Sequence, residues 1–136
     1  MGSMASTLKA KTLTVSIGRP PKYVYEFVSN PENLPKWAAG LCRSVRKADG
    51  EWIVETPGGA VKFRFVEQNE FGVLDHTVSP APGEEISIPM RVVPNGSGSE
   101  VMFTVFQLPD MPDEKFAEDI KLVERDLKKL KALLEE

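Results

Sequence analysis

The 136-residue chain carries one cysteine, one histidine and a net charge of −3. One cysteine excludes an internal disulfide and a cysteine-cluster metal centre, and the net charge argues against a nucleic-acid binder that works by neutralising phosphates on a basic face. Apolar residues make up 41% of the sequence and charged residues 27%, the balance of one soluble globular domain that needs no staples to bury a core.

The opening "MGSMAS" formally fits a myristoylation signal. A second methionine at Met4 makes Met1–Ser3 read instead as an expression remnant, which leaves one domain over residues 4–136. From Leu8 to Ile17 the chain settles into alternation, with Leu13, Val15 and Ile17 on one face and Thr12, Thr14 and Ser16 on the other, as in a half-buried strand. "GRPPKYVYEFVSNP" then changes period. Its prolines suit a first helical turn, and Val24, Phe27 and Val28 share a stripe. Asn30–Pro31 ends that helix, and Asn30 is placed to cap a second short one, "PENLPKW".

From Leu41 to Leu108 the pattern predicts six strands. They are punctuated at Asp49–Gly50, Pro57–Gly58–Gly59, Gln68–Asn69–Glu70, Ala81–Pro82–Gly83 and Asn95–Gly96. The last segment, "DMPDEKFAEDIKLVERDLKKLKALLEE", is a long helix with Asp110 as the expected cap and Pro112 in its first turn. Phe116, Ile120, Val123, Leu127, Leu130 and Leu134 form a narrow continuous seam. Such a seam suits a helix laid across the concave face of the sheet, or a coiled-coil dimer; the sheet's need of a cover favours the first.

Turn lengths set expected cross-strand partners. A turn at Gly58–Gly59 pairs Trp52 with Phe65 and Val54 with Phe63. A five-residue loop at Ala81–Glu85 pairs His76 with Met90, Val78 with Ile88, and Asp75 with Arg91. A turn at Asn95–Gly96 pairs Met90 with Val101 and Ile88 with Phe103. All the apolar pairs fall on one face. The last strand could slip by one residue and turn Met102 and Phe106 inward in place of Val101 and Phe103. Strand alternation also separates the adjacent Asp75 and His76. The histidine looks inward with Leu74 and Val78, while the aspartate looks outward towards Arg91, so the two form no catalytic dyad.

The element order, carried by "RPPKYVYEFVSNPENLPKW", "FGVLDHTV", "PMRVVPNG" and "ERDLKKLKALLE", resembles the helix-grip fold. That fold is shared by START lipid-transfer domains, birch-pollen-type allergens and polyketide cyclase/dehydrase-like (SRPBCC) proteins, and the resemblance is to the bacterial branch of that superfamily. It spans about Ala5 to Glu136. It implies an α+β protein: a seven-stranded antiparallel curved sheet wrapped around the long C-terminal helix, two short helices between strands 1 and 2, and a cavity between sheet and helix. The superfamily has no universal catalytic motif, so it names no active residue here.

Within such a cavity His76 is the sharpest candidate, as a ligand contact or as a general acid or base. The alternative is a core histidine satisfied by a backbone carbonyl. Trp37 is expected near the cavity mouth. Trp52, Phe63, Phe65, Met90, Phe103, Phe116 and Ile120 are candidate lining residues, each of which could equally be plain core. Arg43 takes the inward parity of its strand by pairing with Thr56, and could meet a ligand carboxylate at the rim or snorkel to water. Cys42 takes the opposite parity, with nothing nearby to activate its thiol. No metal site or cofactor motif can be assembled from these residue types.

Three functions follow, in order of preference. The first is a carrier or sensor of a small hydrophobic ligand such as a lipid, polyketide or aromatic compound. The second is a cyclase/dehydratase-type enzyme using His76, and the third an interaction module of the chaperone-activator kind. The expected partner is a small hydrophobic molecule, with no nucleic acid and no integral membrane contact. The protein is expected to be cytoplasmic, as a monomer or weak homodimer.

Overall fold

The first strand, β1 (Ala10–Ile17), ends on Ile17, which is buried; the computed structural model describes residues 4–40 and 42–136. The reading of Met1–Ser3 and the start of the second predicted strand at Leu41 lie outside the described residues. Helix α1 (Pro21–Val28) follows with a proline in its first turn and buries Val24 and Val28. Asn30 then caps as expected. Its side chain accepts the Glu32 amide at 3.1 Å, opening a 3-10 turn (Pro31–Asn33) that continues as α2 (Leu34–Trp37).

Seven strands, not six, come next: β2 (Ser44–Ala48), β3 (Glu51–Thr56), β4 (Gly59–Phe65), β5 (His76–Ser79), β6 (Ile86–Ile88), β7 (Met90–Asn95) and β8 (Gly98–Phe106). Instead of one seven-stranded sheet there are two antiparallel sheets, ordered β1-β8-β7 and β2-β3-β4-β5-β6. Pro89 makes the difference. It has no N–H to continue a ladder, so the run from Ile86 to Asn95 breaks there and its two halves join different sheets. The corner is still stitched. The Pro89 carbonyl accepts the Thr104 amide at 3.1 Å, the Leu74 amide donates to Met90 O at 2.9 Å, and Val73 bridges Arg91.

The first hairpin has the predicted register, with Ser44 opposite Glu55. Asp49 and Gly50 sit at φ 52° and 78°, both left-handed, as a type I′ turn requires. The other hairpins are each displaced by two residues. Trp52 faces Phe63 rather than Phe65, and Val54 faces Val61 rather than Phe63. His76 faces Ile88 rather than Met90, and Val78 faces Ile86. Met90 faces Phe103 rather than Val101. At the β3–β4 turn the cause is Thr56. Its hydroxyl donates to Gly59 O at 2.7 Å and accepts the Gly58 amide at 3.2 Å, which places the turn at Pro57–Gly58. An even displacement leaves every side chain on its predicted face. In β8 the inward set is Val101, Phe103 and Val105; Met102 and Phe106 take the other face, and the one-residue slip does not occur.

The long helix α3 (Asp113–Leu134) buries Phe116, Val123, Leu127, Leu130 and Leu134 within the chain. Asp110 does not cap it; Pro112 occupies the cap, and Asp113 and Glu114 place negative charge in the first turn. The helix packs on β1, β8 and α2 rather than across the whole concave surface. Its far end is tied to the end of β1, where Lys131 Nζ donates to Ser16 O at 2.7 Å and the Gly18 amide donates to Glu135 Oε2 at 2.8 Å.

Candidate functional site

Because α3 leans on the three-stranded sheet, the inner face of β3, β4 and β5 receives less cover. Val54 and Phe63 are buried there, but Trp52, Val61, Phe65 and Val78 are only half-buried, as are Phe103 on β8 and Ile120 on α3. Large apolar side chains that point inward and still keep accessible surface show that this face is incompletely covered.

His76 lies on this face, 7% exposed, among three phenyl rings. Phe63 stacks on it with centroids 5.0 Å apart, Phe65 stands edge-on at 5.5 Å, and Phe103 is tilted at 5.8 Å. Its Nδ1 lies 3.0 Å from Leu74 O. A carbonyl oxygen can only accept, so Nδ1 carries the proton and Nε2 presents a lone pair. Burial lowers the imidazole pKa, outweighing the Leu74 carbonyl and the Asp75 charge, and the ring is neutral at pH 7. Nε2 has no hydrogen-bond partner among the described residues. The one side-chain nitrogen or oxygen among them that is both sealed from solvent and unpartnered is Trp37 Nε1, so His76 Nε2 is not fully sealed from solvent.

Asp75 takes the opposite face. Arg91 Nη2 and Nε donate to its carboxylate at 2.9 and 3.3 Å, and the Met90 amide donates at 2.9 Å. Partial burial pushes its pKa up, but these bonds and the Arg91 charge outweigh it and hold the carboxyl below its ordinary range. The pairing with Arg91 is diagonal, since Arg91 stands opposite Val73.

The remaining predicted residues divide by depth. Trp37, Met90 and Phe116 are 4%, 1% and 6% exposed, enclosed in the core; Trp37 is not at an open mouth. Arg43 is exposed and lies with Trp52, Lys47, Glu32 and Pro35 around a groove of about 720 Å³ between the short helices and edge strand β2. Lys47 Nζ sits 5.5 Å from the Trp52 ring centroid. A second concavity, about 550 Å³, lies on the outer face around Ile53, Lys62, Arg64 and Thr77 beneath the 79–85 loop. Cys42, expected on the outward parity, is buried; it precedes β2, so strand alternation does not govern it. Burial first, and the Asp126 charge second, push its thiol up to about 11.

Asp126 was not singled out by the sequence, where it merges with the charged residues of α3. It is 6% exposed, against the segment that joins α2 to β2. Burial pushes its carboxyl up to about 6, although the Gly40 amide bonds to it and Arg125 lies near. A Cβ on Gly40 would stand 2.8 Å from Arg125 Nη2 and 3.3 Å from Asp126 Oδ1, so a glycine suits this close approach. The signal was spacing: position 126 follows Val123 by three and precedes Leu130 by four, on the edge of the buried stripe.

Antiparallel sheets gripping a long C-terminal helix, with two short helices after the first strand, define the helix-grip fold. The chain belongs to the polyketide cyclase / dehydrase and lipid transport family, whose model matches residues 11–135. Among solved structures it is similar to the protein XoxI from Bacillus cereus (TM-score 0.74, 18% identity, 92% of this chain and 94% of that one). It is also similar to a START superfamily protein from Mycobacterium smegmatis (0.70, 14%, 93% and 97%). A third is the Aha1 dimer from Colwellia psychrerythraea (0.71, 17%, 94% and 97%). Identities this low establish the fold alone. Among curated proteins none matches the sequence. No helix among the described residues is long and apolar enough to cross a membrane.

Proposed function

We propose that the protein binds a small hydrophobic molecule (a lipid, polyketide or aromatic compound) between the inner face of β3–β5 and α3. The observation that carries this reading is the pair of inward, half-buried rings of Phe65 and Phe103 beside a buried, neutral His76, with Trp52 half-buried on the same face. Each would lose its remaining water contact on ligand entry, and burial is worth about 25 cal/mol per Å² of apolar surface. Phe63 and Ile120 complete the lining, Arg43 and Trp52 stand at the rim, and Trp37, Met90 and Phe116 support it from the core. The seam of α3 is used within the chain, which fits a monomer or weak homodimer. A lone buried thiol fits a reducing, cytoplasmic setting.

The cyclase reading needs a second polar group within reach of His76. Its one described hydrogen bond is to a backbone carbonyl, which favours binding over turnover. The test is thermal melting with fatty acids, sterols and fused aromatics. A ligand at about 100 times its Kd adds roughly 2.7 kcal/mol, a rise of several degrees. No shift with any apolar compound would retire the proposal.

A further inference from the structure

Resting on that reading, we infer that the ligand is an uncharged aromatic compound carrying a hydroxyl group, and that this hydroxyl donates its hydrogen to Nε2 of His76. The polarity of the contact follows from its far side. Leu74 O lies 3.0 Å from Nδ1 and can only accept, so the ring proton is committed there. Nε2 is left as an acceptor without a partner among the described residues. A ligand carbonyl, ether or carboxylate would bring a second lone pair against it and leave both unpaired in an apolar setting, which costs free energy. A hydroxyl satisfies both groups. The rings of Phe63, Phe65 and Phe103, with centroids 5.0–5.8 Å from the imidazole, surround it with faces and edges that suit another flat ring. Among the described residues no cation stands against the imidazole to compensate an anion; Arg43 is exposed at the groove by β2. The charged group nearest in sequence, Asp75, is on the opposite face and engaged with Arg91.

The test compares three probes on one ring system: naphthalene, 2-naphthol, and its methyl ether 2-methoxynaphthalene, whose extra methyl adds about 0.8 kcal/mol of apolar burial. Their binding to the full chain is measured by competition against a fluorescent apolar dye at pH 7.5. A net hydrogen bond of about 1.4 kcal/mol is about tenfold in affinity. The expected order is therefore 2-naphthol roughly tenfold tighter than naphthalene and also tighter than 2-methoxynaphthalene, despite the ether's larger apolar area. His76→Asn keeps an N–H at the Nδ1 position for Leu74 O and removes Nε2, and His76→Phe keeps the ring. In both, the advantage of 2-naphthol over naphthalene is expected to vanish, with an unchanged far-UV circular dichroism spectrum and a cooperative melt showing that the fold is intact. Equal affinities of naphthalene and 2-naphthol in the unsubstituted protein, or a methoxy compound as tight as 2-naphthol, would overturn the inference while leaving hydrophobic binding standing. Binding of none of the three would retire both.

Discussion

Asp126→Asn removes a charge from the buried junction between α3 and the Gly40 segment while keeping an oxygen to accept the Gly40 amide. In the folded protein the carboxyl holds its proton up to about pH 6; in the unfolded chain it releases it near 4. The folded state therefore binds the extra proton, and stability falls as pH rises from about 4 to about 6, after which the full cost of the buried carboxylate persists. About two pH units at about 1.4 kcal/mol each set a ceiling near 3 kcal/mol. His76 acts with the opposite sign in an overlapping window: its lowered pKa means the unfolded chain gains a proton first, and stability is lost as pH falls below about 6.5. The difference between the variant and the unsubstituted protein cancels that contribution. Urea denaturation at pH 4.5, 6.0 and 7.5, followed by tryptophan fluorescence, should find the variant more stable by about 1–3 kcal/mol at pH 7.5, with the gain vanishing at the lowest pH. The Cys42 thiol should also titrate lower, because the Asp126 charge helps to raise it. A variant destabilised at pH 7.5, with a deficit independent of pH, would refute the reasoning and assign the carboxylate a net structural benefit.

Gly72→Ala should destabilise by more than about 2 kcal/mol in the same assay, combining a left-handed residue with backbone overlap. Its φ is 71° and an added Cβ would collide with the Val92 carbonyl oxygen; a loss under 0.5 kcal/mol would contradict that geometry. Asp75→Ala should cost roughly 1–2 kcal/mol because the Met90 amide loses its acceptor. Arg91→Ala should cost less than about 1 kcal/mol, as expected for a solvent-exposed ion pair. Equal losses in the two would mean that the ion pair, not the amide bond, stabilises this corner.

Side-chain parity was legible in the sequence because it depends only on alternation. Trp52, Phe63, His76 and Phe103 face inward and Asp75 outward, although three registers moved by two residues. The registers themselves were not legible, since a threonine hydroxyl outside the central turn residues, Thr56, decides where one turn closes. The split into two sheets was present in Pro89, a residue that interrupts any central ladder. The seam of α3 was legible except at Ile120, which is only half-buried, but not the direction in which the helix leans. That lean decides which inward rings remain half-exposed, and it arises from packing on β1, β8 and α2 rather than from any local pattern. The histidine tautomer was equally beyond sequence, because it needs the position of one carbonyl oxygen. Asp126 escaped because one buried acid among many exposed ones carries no compositional mark.

The most direct measurement is the pattern of intermolecular nuclear Overhauser effects between bound 2-naphthol and the protein. Cross-peaks to the ring protons of His76, Phe65 and Phe103 are predicted. Cross-peaks confined to Lys62, Arg64 and Thr77 on the outer face would place the ligand on the wrong side of the sheet and contradict the account.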